Sequence, residues 1–234
     1  MGDKPLILFD LGCVLLDIKF RNFYENCAKI TGISPERFKE NYRAKNIEGI
    51  TSSTKLQEET HLSLLRNVIS SGVSLNGLPN EKLIELILST FQGPIKENVD
   101  LKNRLAKNGY PVGLFSNVSA LYFRLISQKY PEIFEHFKKE LTILSSEAGA
   151  VKPNPQMYLK VPEEFKEVIF IDDKPSYVNF GVKLGWRGIV ETRFVDEEDP
   201  LRFDETDNSG LLLTTEERNL ETTLKELGVD LSES

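Results

Sequence analysis

The sequence predicts an α/β fold in which helices cover both faces of a parallel β-sheet. From residue 98 onward, short apolar runs alternate with segments of helical periodicity. Strands that alternate with helices are typical of right-handed crossovers and a parallel sheet. A first apolar run at residues 6–9 lies far ahead of this alternating part. We therefore predict a core domain formed by residues 1–17 and 98–234, with a domain of residues 18–97 inserted into it.

The opening strand at residues 6–9 ends at Asp10, and a glycine turn with a second apolar run follows. A carboxylate at the end of a buried strand is costly unless a hydrogen-bonded, cationic or metal partner compensates it. Aspartate and glycine are also ordinary turn residues, so capping of the turn is an equal alternative on this stretch alone. Asp10 is thus the first candidate functional residue.

The segment 18–97 is predicted to be an all-helical domain. Apolar and aromatic side chains recur there at helical spacing, in three stripes: Phe20, Phe23, Tyr24 and Cys27; Leu62, Leu65, Val68 and Ile69; and Leu83, Ile84, Ile87 and Leu88. Clusters of glycine, proline and serine separate the stripes. Four or five helices are expected, which suffices for a small bundle.

Four further strands are predicted, at residues 111–115, 141–144, 167–171 and 188–190, with helices between them. The acidic, turn-rich stretch 191–208 that follows predicts a solvated loop.

A final helix is predicted near the end of the chain. Thr214 and Glu217 have the spacing of a capping box that opens a helix, and Leu220, Leu224 and Leu227 give that helix an apolar stripe.

Composition excludes several classes of function. The formal net charge is -7 and the predicted pI is near 5.1, which argues against a nucleic acid or an anionic membrane as the main partner. Cys13 and Cys27 are the two cysteines of the chain and have no zinc-site spacing, so neither a disulfide framework nor a zinc site is indicated. The amino terminus lacks the pattern of a secretory signal. We expect a cytoplasmic protein that is a monomer or a homodimer.

Polar residues follow three of the predicted strands directly. Asp10 follows the first strand, the pair at 116–117 follows the second, and the pair at 172–173 follows the fourth. In an open parallel sheet, ligands bind beyond the carboxyl ends of the strands, so these groups should meet in one crevice. Lys152, which precedes a Pro-x-Pro helix start, could join them. Carboxylates suit magnesium, while lysine and serine suit phosphate oxygens.

These residues also carry a resemblance to a known family. Residues 9–15, 115–117, 152–155 and 171–173 resemble, in order and spacing, the four motifs of the haloacid dehalogenase-like hydrolase superfamily. The match runs from residue 5 to about residue 190 and includes a helical cap between the first two motifs. It is most similar to the branch of small-molecule phosphatases with an aspartate-leucine-glycine first motif, among which are sugar-phosphate phosphatases. The resemblance implies a Rossmann-like, doubly wound core with an inserted helical cap.

The resemblance implies a nucleophile and a metal site. Asp10 would attack phosphorus and form an aspartyl-phosphate. Asp10, the backbone carbonyl of Gly12 and Asp172 would hold Mg²⁺, and Asp173 would support the metal directly or through water.

The resemblance also implies a phosphate site. Ser116 and the backbone amide of Asn117 would hydrogen-bond the phosphoryl oxygens, and Lys152 would offset the accumulated negative charge. The substrate would be a small phosphorylated metabolite. Cap opening and closing would bring cap residues over the phosphate.

The sequence departs from the superfamily pattern at Gly12. Most phosphatases of the superfamily carry an aspartate at this position, which protonates the leaving alcohol and then activates water. Such general acid-base catalysis typically contributes about 10²–10⁴-fold. Water, Asp17 or the cap residue Glu48 could take over this role, and residues 46–51 resemble the cap signature of the branch. Lys174 and Tyr177 stand where asparagines are common.

Two other functions compete with the phosphatase. A 2-haloacid dehalogenase also uses an aspartate nucleophile without the second aspartate, but it needs no magnesium and lacks the paired aspartates of the fourth motif. A weakly catalytic protein that binds metal and a phosphorylated ligand, or a partner through its cap, is the second competitor.

Overall fold

The structure is a computed structural model, and it describes residues 4–45, 57–69, 78–196 and 211–232. The strands of these segments are, in chain order, β1 (Leu6–Phe9), β2 (Leu16–Ile18), β3 (Phe91–Pro94), β4 (Val112–Ser116), β5 (Thr142–Leu144), β6 (Val168–Asp172), β7 (Arg187–Val190) and β8 (Leu212–Leu213). Six of them form one sheet in the order β5-β4-β1-β6-β7-β8, and every neighbouring pair is parallel. The predicted α/β fold with a parallel sheet is confirmed.

The central strand β1 shows why this sheet needs helices on both faces. All four of its side chains are fully buried. Because side chains alternate along a strand, Ile7 and Phe9 join one apolar cluster while Leu6 and Leu8 join a second cluster. A strand that is apolar at every position therefore lies between two layers of helices.

The described segments contain ten α-helices, and those after residue 95 alternate with strands of the core as predicted. The helices are α1 (Phe20–Thr31), α2 (Pro35–Ala44), α3 (Glu58–Ile69), α4 (Asn80–Leu88), α5 (Lys96–Lys107), α6 (Ala120–Lys129), α7 (Ser145–Ala148), α8 (Pro155–Tyr158), α9 (Pro175–Lys183) and α10 (Leu220–Glu226). Helices α5, α6 and α10 contribute to the apolar cluster of Ile7 and Phe9, whereas α8 and α9 contribute to the cluster of Leu6 and Leu8. None of the helices in the described ranges is long and apolar enough to cross a membrane.

Helices α1 to α4 lie between β2 and β3, which pair antiparallel with Asp17 opposite Gly93. The chain thus enters and leaves this helical segment side by side. The segment has its own aromatic cluster, in which Phe23 lies 5.8 Å from Phe38 and 5.3 Å from Tyr42 between ring centroids. Sequence periodicity did not predict β3, because its four residues include a glycine and a proline and carry no alternating pattern. The domain boundaries at 18 and 97 stay predictions.

Two predictions for the last part of the chain are wrong. Helix α10 begins at Leu220 and not near Thr214, and its N-cap is Asn219, whose side chain accepts a hydrogen bond from the Thr222 amide at 2.9 Å. Thr214 instead follows strand β8 and donates a hydrogen bond to the Glu191 carboxylate at 2.6 Å. The spacing of Thr214 and Glu217 matches a capping box by coincidence, because the fully buried Thr214 side chain bonds Glu191 and caps no helix.

The predicted solvated loop at 191–208 is also wrong for its described part. Glu191 is fully buried and Asp196 is 5% exposed. The guanidinium of Arg193 donates two hydrogen bonds to the Glu191 carboxylate, at 3.0 and 2.8 Å, and Asn98 donates a third at 3.3 Å. A buried carboxylate that is paired and hydrogen-bonded in this way is an ordinary part of a core.

Helix α3 contacts the core through His61, whose ring stacks on Tyr122 of α6 at 5.1 Å between centroids. His61 is 1% exposed, and its Nε2 has no hydrogen-bond partner within the segments that the structure describes. Burial lowers the pKa of His61 from 6.5 to about 4, because charging the ring would cost solvation.

We expect this histidine to make stability depend on pH. The unfolded chain binds a proton near pH 6.5 while the folded chain does not, so its contribution is fully present above pH 6.5 and is lost as the pH falls toward 4. The loss is up to about 3 kcal/mol. His61→Phe keeps an aromatic ring and removes this titration. Urea unfolding at pH 7 and pH 4.5 should therefore show a smaller pH effect in the variant than in the wild type, and equal effects would contradict the prediction.

Candidate active site

The polar residues that follow the strands meet at one edge of the sheet. Phe9 lies opposite Leu114 in β4 and opposite Ile171 in β6, so the carboxyl ends of these three strands lie at the same edge of the sheet. The Asp10 amide continues the ladder by donating to the Ile171 carbonyl at 2.9 Å. The structure thus places Asp10, Ser116 and Asp172 at the carboxyl edge of the sheet, where the sequence predicted that they would meet.

Lys152 lies at the centre of this edge. Its Nζ donates to Asp10 Oδ1 at 2.8 Å, to Asp172 Oδ2 at 2.5 Å and to the Phe115 carbonyl at 2.7 Å. The lysine side chain is 1% exposed, so the charge is removed from water. An ammonium group has three protons, and all three are used by buried acceptors. Lys152 therefore belongs to the candidate site and is not a surface lysine.

The charges of this cluster shift each other's pKa values. Burial acts to lower the pKa of Lys152, but the carboxylates of Asp10 and Asp172 outweigh burial and raise it above its usual value. For Asp172 burial dominates and raises the pKa to about 6, although the adjacent Lys152 charge acts in the opposite direction. The lysine is thus held as a cation between the two carboxylates.

Three carboxylates lie close enough to bind one cation together. One oxygen each of Asp10, Asp172 and Asp173 lies within 4.8 Å of the others, and all three residues are buried. Oxygen ligands at such spacing suit Mg²⁺, which usually keeps several waters besides one or two carboxylates. Three carboxylates and one lysine leave excess negative charge, which a divalent cation would offset. The residues present therefore fit the metal that the sequence implied, and Gly12 lines the same cavity.

The Asn117 side chain has a role that the sequence did not predict. Its side-chain oxygen accepts a hydrogen bond from the Lys152 amide at 2.8 Å, and its side-chain nitrogen donates to the Lys152 carbonyl at 3.2 Å. The side chain therefore clamps the backbone that carries the lysine. The backbone amide of Asn117 would make any contact with phosphate, as the sequence resemblance implied. Ser116, which is 2% exposed, lines the cavity as predicted.

A side chain at position 12 would displace the tip of the Ile18 side chain. A Cβ atom added to Gly12 would lie 2.7 Å from Cδ1 of Ile18, which is closer than carbon atoms approach in proteins. An aspartate at this position would require Ile18 to move. Asp17, one of the candidates to replace it, lies on β2 with Lys19 Nζ 3.1 Å from its Oδ1, and it is not among the residues that line the cavity. Glu48 and the cap signature lie outside the described residues.

The rest of the cavity wall comes from elements whose residues were not predicted as site residues. Its lining outside the strand ends is mostly apolar or aromatic: Leu11, Cys13, Ile18, Phe20, Phe91, Val118, Tyr122 and Ile126. Lys174 and Tyr177 also line it, with Lys174 Nζ 3.8 Å from Asp173 Oδ1. Phe20, from the first apolar stripe of the cap, both packs in the core and lines the cavity.

Asp196 is a lining residue that sequence reasoning missed. Its Oδ2 accepts a hydrogen bond from the Phe20 amide at the start of α1, at 2.7 Å. The acidic run around it suggested a solvated loop. A signal was nevertheless present, because this segment follows the carboxyl end of β7 just as the other site residues follow their strands.

Solved structures of known proteins share this fold. No protein-family model matches the chain. A haloacid dehalogenase (HAD) family enzyme of Bacteroides thetaiotaomicron, BT-2542, superposes with a TM-score of 0.69 at 22% identity over 82% of this chain and 94% of that one. Another crystal structure of that enzyme is a complex with magnesium and inorganic phosphate, with a TM-score of 0.68 at 22% identity over 85% of this chain and 100% of that one.

A dehalogenase is also among the structures that share the fold. The L-2-haloacid dehalogenase PA0810 superposes with a TM-score of 0.63 at 15% identity, over 97% of this chain and 100% of that one. The structures with this fold thus include both a HAD family enzyme in complex with magnesium and inorganic phosphate and a haloacid dehalogenase. The resemblance drawn from the four motifs is confirmed for the fold: the chain has the α/β fold of the haloacid dehalogenase-like hydrolases.

Proposed function

We propose that this protein is a magnesium-dependent phosphatase that hydrolyses a small phosphomonoester through an aspartyl-phosphate on Asp10. The observation that carries the proposal is the buried lysine between two carboxylates, with Lys152 Nζ 2.8 Å from Asp10 and 2.5 Å from Asp172. A phosphoryl group brings strong negative charge, and a fixed cation at the nucleophile offsets that charge.

Each residue of the site would have a separate task. Asp10 would attack phosphorus, and Lys152 would hold that carboxylate in place and neutralise a phosphoryl oxygen. Ser116 and the Asn117 amide would bind the remaining oxygens and orient the phosphorus for in-line attack. Asp10, Asp172, Asp173 and the Gly12 carbonyl would hold Mg²⁺, which supplies charge neutralisation when it is bound. The substrate would be a small phosphorylated metabolite.

A phosphate-release assay with and without Mg²⁺ tests this proposal. We expect purified protein with Mg²⁺ to release phosphate from at least one member of a panel of sugar, aryl and alkyl phosphates, and removal of the metal with EDTA to stop the reaction. Re-addition of Mg²⁺ should restore it. If the protein binds Mg²⁺ and inorganic phosphate but releases none from any ester, the site binds a phosphorylated ligand without turnover.

A 2-haloacid dehalogenase is the second candidate, because a dehalogenase with this fold covers 97% of the chain and much of the cavity wall is apolar. The carboxylate triad argues against it, since three buried carboxylates within 4.8 Å suit a cation that halide displacement does not need. Chloride release from 2-chloropropionate in the presence of EDTA would favour the dehalogenase over the phosphatase.

A further inference from the structure

We propose that the substrate of this site is a phosphate ester of an apolar, aromatic leaving group, and not a sugar phosphate. The inference rests on the proposed phosphatase function and names its substrate class. The part of the cavity wall outside the strand ends is built largely from Ile18, Phe20, Phe91, Tyr122 and Ile126, which we call the apolar wall. Its residues come from β2, α1, β3 and α6, so the wall spans both the entry to the cap and the core.

The polar groups of the cavity are concentrated where phosphate would bind. Asp10, Ser116, Lys152 and Asp173 line that region, with Lys174 beside Asp173. These groups match a phosphate and a metal, and the hydrogen bonds of Lys152 tie the region together. The leaving group of the ester would therefore lie against the apolar wall.

A sugar would find few hydrogen-bond partners there. The side chains of Asn117 and Tyr177 lie next to Lys152, in the phosphate region. Apart from the thiol of Cys13, the described lining residues away from that region offer two polar side chains, those of Tyr122 and Asp196. One oxygen of Asp196 already accepts a hydrogen bond from the Phe20 amide at 2.7 Å. Burying several hydroxyl groups against hydrocarbon without partners is unfavourable, whereas burying an aryl ring there is favourable.

The aromatic rings of the wall are held in place before any ligand binds. Phe91 meets Tyr122 edge-on, with ring centroids 5.9 Å apart and an interplanar angle of 80°. The stacking of His61 on Tyr122, at 5.1 Å, fixes that ring further. Phe91 and Tyr122 are less than 10% exposed. A preorganised aromatic surface suits a flat, rigid leaving group, because little side-chain freedom is lost on binding.

The position beside the nucleophile gives a second, independent reason. Residue 12 is a glycine, and the space next to it is taken by Cδ1 of Ile18, 2.7 Å from the place of a Cβ atom. No side chain of residue 12 can protonate the leaving oxygen. A phenol has a pKa near 10, like tyrosine, so its oxygen departs far more readily without a proton than the oxygen of an alcohol does.

The step balances without a further reagent. Asp10 forms a bond to phosphorus while the bond from phosphorus to the aryl oxygen breaks, and the electron pair leaves on that oxygen as a phenolate. The phenolate takes a proton from solvent. Water then attacks the aspartyl-phosphate, which gives inorganic phosphate and restores the Asp10 carboxylate.

Three phosphates that each carry a six-membered ring separate these effects: phenyl phosphate, cyclohexyl phosphate and glucose 6-phosphate, each assayed with Mg²⁺. Phenyl and cyclohexyl phosphate should have KM values at least about tenfold below that of glucose 6-phosphate, because both rings suit the apolar wall. Phenyl phosphate should also have the higher kcat of the two, because its leaving group is the weaker base. A KM for glucose 6-phosphate equal to or below that for cyclohexyl phosphate would overturn the inference.

The Phe91→Ser variant tests whether the apolar wall causes the predicted difference in KM. We expect KM for the two ring phosphates to rise at least about tenfold, with inhibition by inorganic phosphate unchanged as evidence that the phosphate region is intact. Phe123→Ala is the matched control, because Phe123 lies on the same helix as Tyr122 but packs against Phe134 at 5.3 Å, outside the cavity. An equal rise in KM for glucose 6-phosphate would refute the assignment.

The same assays distinguish failure of this inference from failure of the proposed function. Phosphate release from glucose 6-phosphate but not from the ring phosphates leaves the phosphatase standing and overturns the substrate class. Release from none of the three but from another ester of the wider panel overturns the substrate class alone, and release from no ester at all overturns both. The wild-type panel decides the substrate class even where a wall variant does not fold.

Discussion

Asp10→Asn is expected to abolish phosphate release, with a fall in kcat of at least about 10³-fold, because an amide oxygen cannot form the aspartyl-phosphate. The change is nearly isosteric. The amide oxygen can still accept the hydrogen bond that Lys152 Nζ now donates at 2.8 Å, and Lys152 keeps its contact with Asp172. We therefore expect the variant to fold, and circular dichroism and thermal unfolding check this.

Asp100→Asn is the control for the same chemical change, because Asp100 is exposed on α5, away from the cavity. Its kcat should stay within about twofold of the wild type, as for most surface substitutions. Reductive trapping of the acyl phosphate after a brief exposure to substrate should label Asp10 in the wild type. Retention of substantial activity in Asp10→Asn, or trapping at another carboxylate, would contradict the assignment of the nucleophile.

The sequence predicted the core of this site well because the relevant pattern is local. A buried apolar run that ends in aspartate is legible in any sequence, and the parallel sheet brings such ends together without further information. Asp10, Ser116 and Asp172 follow this rule. Lys152 is the informative exception, because a lysine in a loop gives no local sign that it will be 1% exposed between two carboxylates. Its position before a Pro-x-Pro helix start and its place in the four-motif order pointed to it.

The apolar wall of the cavity could not be predicted in the same way. Phe91 and Tyr122 come from segments far apart in the chain, and their meeting at 5.9 Å depends on how the helical insert packs on the core. Apolar periodicity identifies such residues as buried but does not say whether they face a core or a cavity. The prediction for the acidic stretch 191–208 was wrong for a related reason. Its charge density suggested a solvated loop, whereas the ion pair with Arg193 allows Glu191 to be buried.

Lys152→Met is expected to lower the free energy of unfolding by about 3–5 kcal/mol when the protein is kept in EDTA, because it leaves two buried carboxylates without their cation. Methionine has a similar length and is apolar, so packing changes little. The cost comes from Asp10 and Asp172, whose oxygens lie 2.8 and 2.5 Å from Nζ, and from the Phe115 carbonyl, which also loses its donor. Urea unfolding at pH 7.5 measures this loss.

Lys102→Met is the matched control, because Lys102 is also fully buried but contacts no carboxylate within hydrogen-bond distance in the described chain. Its Nζ donates to the carbonyls of Ile133 and Glu135 at 2.8 and 2.6 Å. Burial lowers its pKa to about 8, whereas the carboxylates raise the pKa of Lys152. Its removal leaves unpaired carbonyls but no unpaired charge, so we expect a loss of about 1–3 kcal/mol.

A double variant separates loss of the cation from loss of packing. Asp172→Asn added to Lys152→Met removes one of the two uncompensated charges, so the double variant should be more stable than Lys152→Met alone in EDTA. Added Mg²⁺ should stabilise Lys152→Met more than the double variant, because the single variant keeps all three carboxylates within 4.8 Å. If Lys152→Met costs no more than Lys102→Met, or if Asp172→Asn destabilises it further, the lysine acts through packing and not as the counter-charge of the site.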